Sequence, residues 1–423
     1  MTRLPDPRPL AQGEHLYFLH IPKTAGTTLR TFLEDHFDAD VVCPAWLTEE
    51  LIDRPPSWFR RYQLLCGHYG WLALEMLDFR PRIATMLREP EDWARSAYKH
   101  VLGMKSHWLH EHCKDMSFED FVFDEHGQVE LVNLQTRFLA LDDLQRDFFG
   151  HNEMAMKSPR ALVDKYSQEE LLAKAMARLR RIEFVGIVER FDDSLALLAH
   201  QMGWPRPRAF PKYNISPPSD RLDLGHRGRA RLAALTALDR DLYVCAKELF
   251  ESRFAAYDPA VADSAYAESM SGRPRIDRLD YRFDRAVHGH GWLPREKIAD
   301  GVTCRWSGPT RDASMDLCLS TDRELEIRFR AGSYTRQQLQ TMTLCVNGHP
   351  VPLSLRGCSN EKDMQGIFSG RLTRDVLNAG KGFARLEFAV DRAFRPCDLH
   401  PSNTDDRTIG AYFWWIEIYP SAT

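Results

Sequence analysis

The stretch His15-Leu-Tyr-Phe-Leu-His-Ile-Pro-Lys-Thr-Ala-Gly-Thr-Thr-Leu29 holds the residues best suited to chemistry in this 423-residue chain. Lys23 supplies a cation, Thr24, Thr27 and Thr28 supply hydroxyls, and Gly26, after Ala25, lets the backbone come close to a ligand. At the start of a helix the first N–H groups have no intrahelical acceptor, so these residue types together make an anion cradle, with phosphate as its natural occupant. Such a cradle needs a strand to enter it and a helix to leave it. Leu16, Phe18, Leu19 and Ile21 form a strand-length apolar run that Pro22 ends, because proline has no N–H for a sheet ladder. Leu29, Phe32, Leu33 and Phe37 then mark one apolar helix face.

The order of the residues departs from the nucleotide-triphosphate loop G-x-x-x-x-G-K-[ST]: Lys23 comes before the glycine, and the earlier glycine of that motif is missing. Leu19-His-Ile-Pro-Lys-Thr-Ala-Gly-Thr-Thr28 resembles instead the 5′-phosphosulfate loop of sulfotransferases that use 3′-phosphoadenosine-5′-phosphosulfate (PAPS). The likeness is greatest to the carbohydrate 2-O and 6-O enzymes of the heparan sulfate type and their bacterial relatives. It implies that Lys23, Thr24, Ala25, Gly26, Thr27 and Thr28 hold the cofactor, and that Lys23 stabilises charge on the leaving phosphate.

A second strand, turn and helix follows in Arg82-Ile-Ala-Thr-Met-Leu-Arg-Glu-Pro-Glu-Asp-Trp-Ala-Arg-Ser-Ala-Tyr-Lys-His100, which resembles the 3′-phosphate site of the same family. Arg88, Pro90 and Ser96 keep the family spacing, with Glu89 where aspartate is usual and Trp93 where a second arginine is common. A guanidinium makes fork-shaped bonds to a dianionic phosphate, and a hydroxyl adds a neutral donor. Between the two motifs, Gly67-His68 follows the short apolar run Leu64-Leu-Cys66, where these enzymes keep their catalytic histidine. His68 is the expected general base, since imidazole accepts protons near neutral pH.

The resemblance continues through Asn133-Leu-Gln-Thr-Arg137, Phe184 to Arg190, Lys212-Tyr-Asn-Ile-Ser216 and Asp241-Leu-Tyr243, and spans residues 14 to 254. It implies that Arg137 reaches the acceptor or the cofactor phosphates and that Lys212 and Asn214 lie on a loop closing over the cofactor. Glu189, Asp241 and Tyr243 are expected to support the structure. The implied reaction is in-line transfer of a sulfuryl group from PAPS to a carbohydrate hydroxyl, leaving PAP and needing no metal. Two alternatives stand beside it: a nucleotide- and glycan-binding protein that does not react, and a P-loop kinase, for which no Walker B aspartate is evident.

Composition sets the frame. Hydrophobic residues make up 43% and charged residues 27%, as in ordinary globular proteins. A net charge of −4 gives no general reason to expect nucleic acid. The sequence contains no apolar run long enough to span a membrane and no signal-peptide core at its start, so a cytoplasmic protein is expected. Nine cysteines without C-x-x-C spacing suggest neither disulfides nor a zinc site. Nothing in the sequence sets the oligomeric state.

To about residue 260, short apolar runs alternate with amphipathic stretches, which predicts an α/β fold: a P-loop-like parallel sheet flanked by helices over residues 1–262. Strands are expected at 16–21, 64–66, 83–87 and 184–188, and helices at 27–37, 91–102, 118–123, 160–181, 191–202 and, as one long element, 229–254. Residues 263–285 show no sustained period and are expected to be a linker. From 286 to 423 the period becomes two, as in Leu325, Ile327 and Phe329, and Asn347-Gly348 signals a hairpin turn. This predicts an all-β sandwich that folds independently, resembling modules appended to enzymes of surface-polysaccharide assembly. Its Trp292, Trp306, Trp414 and Trp415 are candidates for stacking on sugars, with core packing as the competing role.

Overall fold

The computed structural model describes residues 5–142, 166–207, 222–297, 301–357, 364–399 and 402–421. Four strands, β1 (Leu16–Leu19), β2 (Leu64–Gly67), β3 (Arg82–Leu87) and β4 (Phe184–Ile187), form a parallel sheet in the order β2-β1-β3-β4. Every residue of these strands is buried, as parallel strands covered on both faces require. Around them stand α1 (Gly26–Glu34), α2 (Pro56–Phe59), α3 (Pro90–Gly103), α4 (His110–Cys113), α5 (Phe118–Phe123), α6 (Glu125–Leu131) and α7 (Leu134–Ala140). They are followed by α8 (Gln168–Leu179), α9 (Phe191–Met202), α10 (His226–Leu235) and α11 (Ala237–Phe254).

The chain lays β2 on one side of β1 and β3 on the other, so the winding reverses at β1, and in open α/β sheets such a reversal is where ligands bind, at the carboxyl ends of the strands. Leu19 pairs with both Gly67 and Thr85, which brings the turns after β1, β2 and β3 to the same edge.

The expected long helix 229–254 is two helices, because the chain leaves helical geometry at Thr236. There the Leu238 N–H donates to Asn133 Oδ1 at 3.0 Å, and Asn133 N–H donates to Leu235 O at 3.1 Å. A tertiary partner thus ends one helix and starts the next. The expected helix 160–181 begins after Ser167, whose hydroxyl caps α8 by accepting from the Glu170 N–H; residues 160–165 lie outside the described ones.

Residues 263–285, expected as a linker, are ordered: most of α12 (Pro259–Ser271) and all of β5 (Leu279–Arg282) fall there. The helix buries only Ala262, Tyr266 and Met270, one residue per turn, too narrow a stripe for its period to stand out. Its partners are in the β half, where Tyr266 Oη donates to Asp316 at 3.0 Å and Cys318 Sγ to Met270 O at 3.1 Å.

The β half contains β6 (Glu296–Lys297), β7 (Thr303–Trp306), β8 (Asp312–Leu317), β9 (Leu325–Gly332), β10 (Thr343–Val346), β11 (His349–Val351), β12 (Leu353–Arg356), β13 (Gln365–Leu372), β14 (Ala384–Ala389) and β15 (Tyr412–Pro420). They form two antiparallel sheets, β11-β10-β14-β8 and β12-β13-β9-β15-β7-β6, with β5 also on β15. One hydrophobic core joins the sheets; Phe388 of the first lies 5.1 Å from Phe329 of the second, ring centre to ring centre. Asn347 and Gly348, with φ of 52° and 80°, make the tight turn between β10 and β11.

The two halves are closely joined. Backbone bonds run from Val287 N–H to Asp35 O at 2.8 Å and from Ala39 N–H to Asp284 O at 2.7 Å. Arg295 adds a bond to Phe37 O, and Arg285 pairs with Asp38 at 2.9 Å. The expectation of independent folding did not include these contacts, whose partners lie about 250 residues apart in sequence.

Candidate active site at the strand ends

The loop after β1 turns through two left-handed residues. Lys23 and Ala25 have φ of 65° and 59°, a left-handed backbone that costs a non-glycine residue roughly 1–2 kcal/mol. Ala25 is also the N-cap of α1, and its methyl cannot accept a hydrogen bond from that helix start. With no acidic residue in its first turn, the helix end favours an external anion.

Gly26 is needed here for a reason other than ligand approach. A Cβ at this position would lie 1.6 Å from His20 Nε2, so the imidazole of His20 fills the space that the missing side chain leaves. Thr24 is also committed inward, its hydroxyl donating to Ile21 O at 2.8 Å. Thr28 is buried and Thr27 exposed.

Arg88 leaves β3 beside this loop and donates to Lys23 O at 3.3 Å. Its backbone is clamped by Gln135, which accepts from Arg88 N–H at 3.0 Å and donates to Arg88 O at 2.9 Å. The Arg88 Nε is buried without a hydrogen-bond partner, so part of the guanidinium is uncommitted. Burial, and then the Arg88 charge, hold the Lys23 ammonium below its ordinary pKa. Among the described residues, these two cations share one edge with no carboxylate bonded to either, an arrangement that an anion would relieve. Ser96 lies two turns along α3, half-buried. Trp93, at the position expected for a second arginine, is buried and straps the loop through Nε1–H to Pro22 O at 2.8 Å.

His68 stands where β2 ends. Its Nδ1 is 2.9 Å from His20 O, and a carbonyl can only accept, so Nδ1 carries the proton and Nε2 keeps its lone pair. Its ring lies 4.1 Å from that of His20 and 5.0 Å from that of Trp46. Burial, aided by the charges of Lys23 and Arg30 and opposed by the bond to His20 O, holds its pKa down at about 4. The side chain is therefore neutral at physiological pH.

The remaining expected residues separate. Arg137 is buried at the junction of α6 and α7, donating to Val129 O and Val132 O at 3.4 and 3.3 Å, beside Glu130. Through Nη1 it braces this junction, while its Nε is buried without a hydrogen-bond partner. Lys212 and Asn214 lie outside the described residues. Glu189 accepts from Glu89 N–H at 2.9 Å and from Tyr243 Oη–H at 2.8 Å, tying three elements together at the strand ends.

Two residues at this edge had no signal in the sequence. His20 supports both Gly26 and His68, and only the tertiary arrangement reveals it. His100, half-buried on α3, is held at about 4 by burial and by the charges of Lys23, His107 and His68, which places it within their electrostatic reach. At the opposite, amino end of the sheet a cavity of about 670 Å³ opens among Arg8, Trp71, Phe79, Arg82 and Glu183, and it shares no residue with the loop.

In the β half, Trp292 is core: it is 3% exposed and its Nε1–H donates to Ser314 O at 2.8 Å. Trp306 stacks on Tyr334 at 5.4 Å, and Trp414, the extra residue of a bulge in β15, lies under Arg330 at 4.6 Å. Trp415 is half-buried beside Arg282. Among the described residues no helix is long and apolar enough to cross a membrane.

No family model matches the sequence, and no curated protein matches it. Among solved structures, the chain is similar to a family 35 carbohydrate binding module from Clostridium thermocellum, with 11% identity and a TM-score of 0.22. That match covers 34% of this chain and all of the module. It is also similar to a Podospora anserina GH26-CBM35 β-(1,4)-mannanase, with 10% identity and a TM-score of 0.20, covering 35% of this chain and 29% of the mannanase. Likenesses this slight fix neither fold nor ligand, so the functional reading rests on the residues at the strand ends.

Proposed function

We propose that the chain is a PAPS-dependent O-sulfotransferase acting on a carbohydrate hydroxyl. The observation that carries this reading is the pairing of Lys23 with Arg88, two cations at one sheet edge with no carboxylate bonded to either among the described residues, beside a helix start whose N-cap is an alanine. In this reading the first motif holds the 5′-phosphosulfate and Arg88 with Ser96 holds the 3′-phosphate. The acceptor oxygen attacks sulfur while the bond from sulfur to the bridging phosphate oxygen breaks; the hydroxyl proton passes to His68 Nε2, and Lys23 neutralises the leaving phosphate. Positioning and fixed positive charge supply most of the acceleration, as in the related transfer of phosphoryl groups.

The low basicity of His68 favours a second reading, a nucleotide- and glycan-binding protein that does not turn over. One experiment separates the two. The full chain is incubated with sulfur-labelled PAPS and cell-surface glycans, with ATP as the competing donor, and PAP and AMP binding are measured in parallel. Label transfer from PAPS, with PAP bound far more tightly than AMP, supports the enzyme. PAP binding without transfer supports the binding protein, and equal affinity for PAP and AMP removes the assignment of Arg88.

A further inference from the structure

Outside the strand-end site, α4 and the junction of α5 with α6 gather a second set of metal-ligating side chains. His112 and Cys113 close α4, while Asp124 caps α6, its Oδ2 accepting from Gly127 N–H at 2.8 Å. One imidazole nitrogen, one thiol and one carboxylate oxygen from these three residues all lie within 4.8 Å of one another. His112 Nε2 is 3.0 Å from Asp124 Oδ1. A second imidazole completes the group: the His126 ring is 4.8 Å from that of His112, and its Nδ1 is 3.9 Å from Asp124 Oδ2.

We propose that His112, Cys113, Asp124 and His126 form a structural binding site for a divalent transition-metal cation of the zinc type. Imidazole, thiolate and carboxylate together suit zinc, whereas magnesium and calcium prefer sites made of oxygen alone. The charges balance, since a dication with one thiolate, one carboxylate and two neutral imidazoles sums to zero. Balance matters here because Cys113 is fully buried in the core that α3, α5 and α7 share. Binding replaces the Cys113 S–H bond with a sulfur–metal bond and releases the proton to water.

Geometry permits closure. Tetrahedral zinc holds its donors roughly 3.3–3.8 Å apart, so the His112, Cys113 and Asp124 donors, which lie within 4.8 Å of one another, must contract by about 1 Å, and His126, outside that group, must swing in further. Cys113 is fixed by packing and Asp124 by its cap, but the side chains of His112 and His126 are 44% and 59% exposed and can turn inward. The metal would pin α4, a four-residue helix too short to persist alone, to the start of α6. The sequence hid the site because its ligands arrive as adjacent His112-Cys113 and then Asp124-x-His126, without the paired cysteines of familiar zinc motifs.

The test is titration of the full chain, first stripped with chelator, using Co²⁺ as the spectroscopic probe and Zn²⁺ as competitor. One equivalent of Co²⁺ should give visible d–d bands and a near-ultraviolet thiolate-to-cobalt band, all abolished by Zn²⁺. Cys113→Ser should lose the near-ultraviolet band, and His112→Ala and Asp124→Asn should each weaken binding at least ~10-fold. His112→Ala alters a partly exposed side chain, so its result stands even if Cys113→Ser folds poorly. The proposal is overturned if no saturable cobalt spectrum forms, or if His112→Ala binds one equivalent with wild-type affinity and bands, since another of the cysteines would then hold the metal.

Discussion

Asp35, which caps the carboxyl end of α1, and Arg305, in the interior of β7, form an ion pair at 2.7 Å with 12% and 1% of their side chains exposed. An acid at a helix carboxyl end faces the negative pole of the helix, and burial raises its pKa further, so Asp35 depends on the guanidinium beside it. Arg305→Ala would leave that carboxylate buried and unpaired, at a cost of about 3–5 kcal/mol. We expect a large fall in the urea midpoint, with much of it recovered in the Asp35→Leu/Arg305→Met double variant. Equal stability of Arg305→Ala and the wild type would show that the pair does not contribute.

The same interface sets the outcome of truncation. A chain ending at residue 262 lacks Arg305, Val287 and Asp284, cuts α12 near its start, and uncovers the end of α1. We expect low soluble yield and a broadened unfolding transition. A soluble fragment with full-length affinity for PAP would contradict the coupling described here.

Protonation of His68 gives a pH signature. Only the neutral ring accepts a proton, and its pKa is held at about 4, so kcat/KM should stay flat from neutral pH to below 5.5 and fall only as pH approaches 4. An ordinary histidine would show the fall near 6.5. His68→Ala should lower kcat by roughly 10²–10⁴-fold while leaving PAP affinity nearly unchanged. Stability runs in the same direction: with a folded pKa below the unfolded value, the unfolded chain binds the proton first. Melting temperature should therefore drop as pH falls from about 6.5 toward 4. A rate profile breaking near 6.5 would point to a different base.

Gly26→Ala tests the packing under the loop. The added methyl would overlap the His20 ring, whose position also sets the carbonyl that holds His68. Loss of nucleotide binding together with kcat is expected, and Gly26→Ala/His20→Gly should restore part of the binding by reopening the space. A Gly26→Ala protein with unchanged PAP affinity would mean that the loop tolerates displacement of His20.

Much of the parallel half could be read from local pattern. The run Leu16–Leu19 is apolar because both faces of its sheet are covered, and Pro22 marks its end. Lys23, His68 and Arg88 each follow a strand, and adjacent parallel strands deliver such residues to one edge. The turn at Asn347-Gly348 was legible because its left-handed backbone selects those residue types. What stayed hidden depends on distant partners. Nothing near Thr236 announces the break that Asn133 imposes, and Arg305 in a β-strand looks like a surface residue until Asp35 is placed against it. Nor does the sequence around His20 show that its ring occupies the space above Gly26.

The helix α1 has a different task at each end. Its nine residues make a rod of about 13 Å, with the open anion-attracting turn at one end and the Asp35–Arg305 lock at the other. A rod fixed in this way works as a spacer: it sets how far the loop stands from the β half and limits their relative drift. A long polymer touching both halves would meet them in constant register, so the interval between its two points of contact would be measured out by the protein itself.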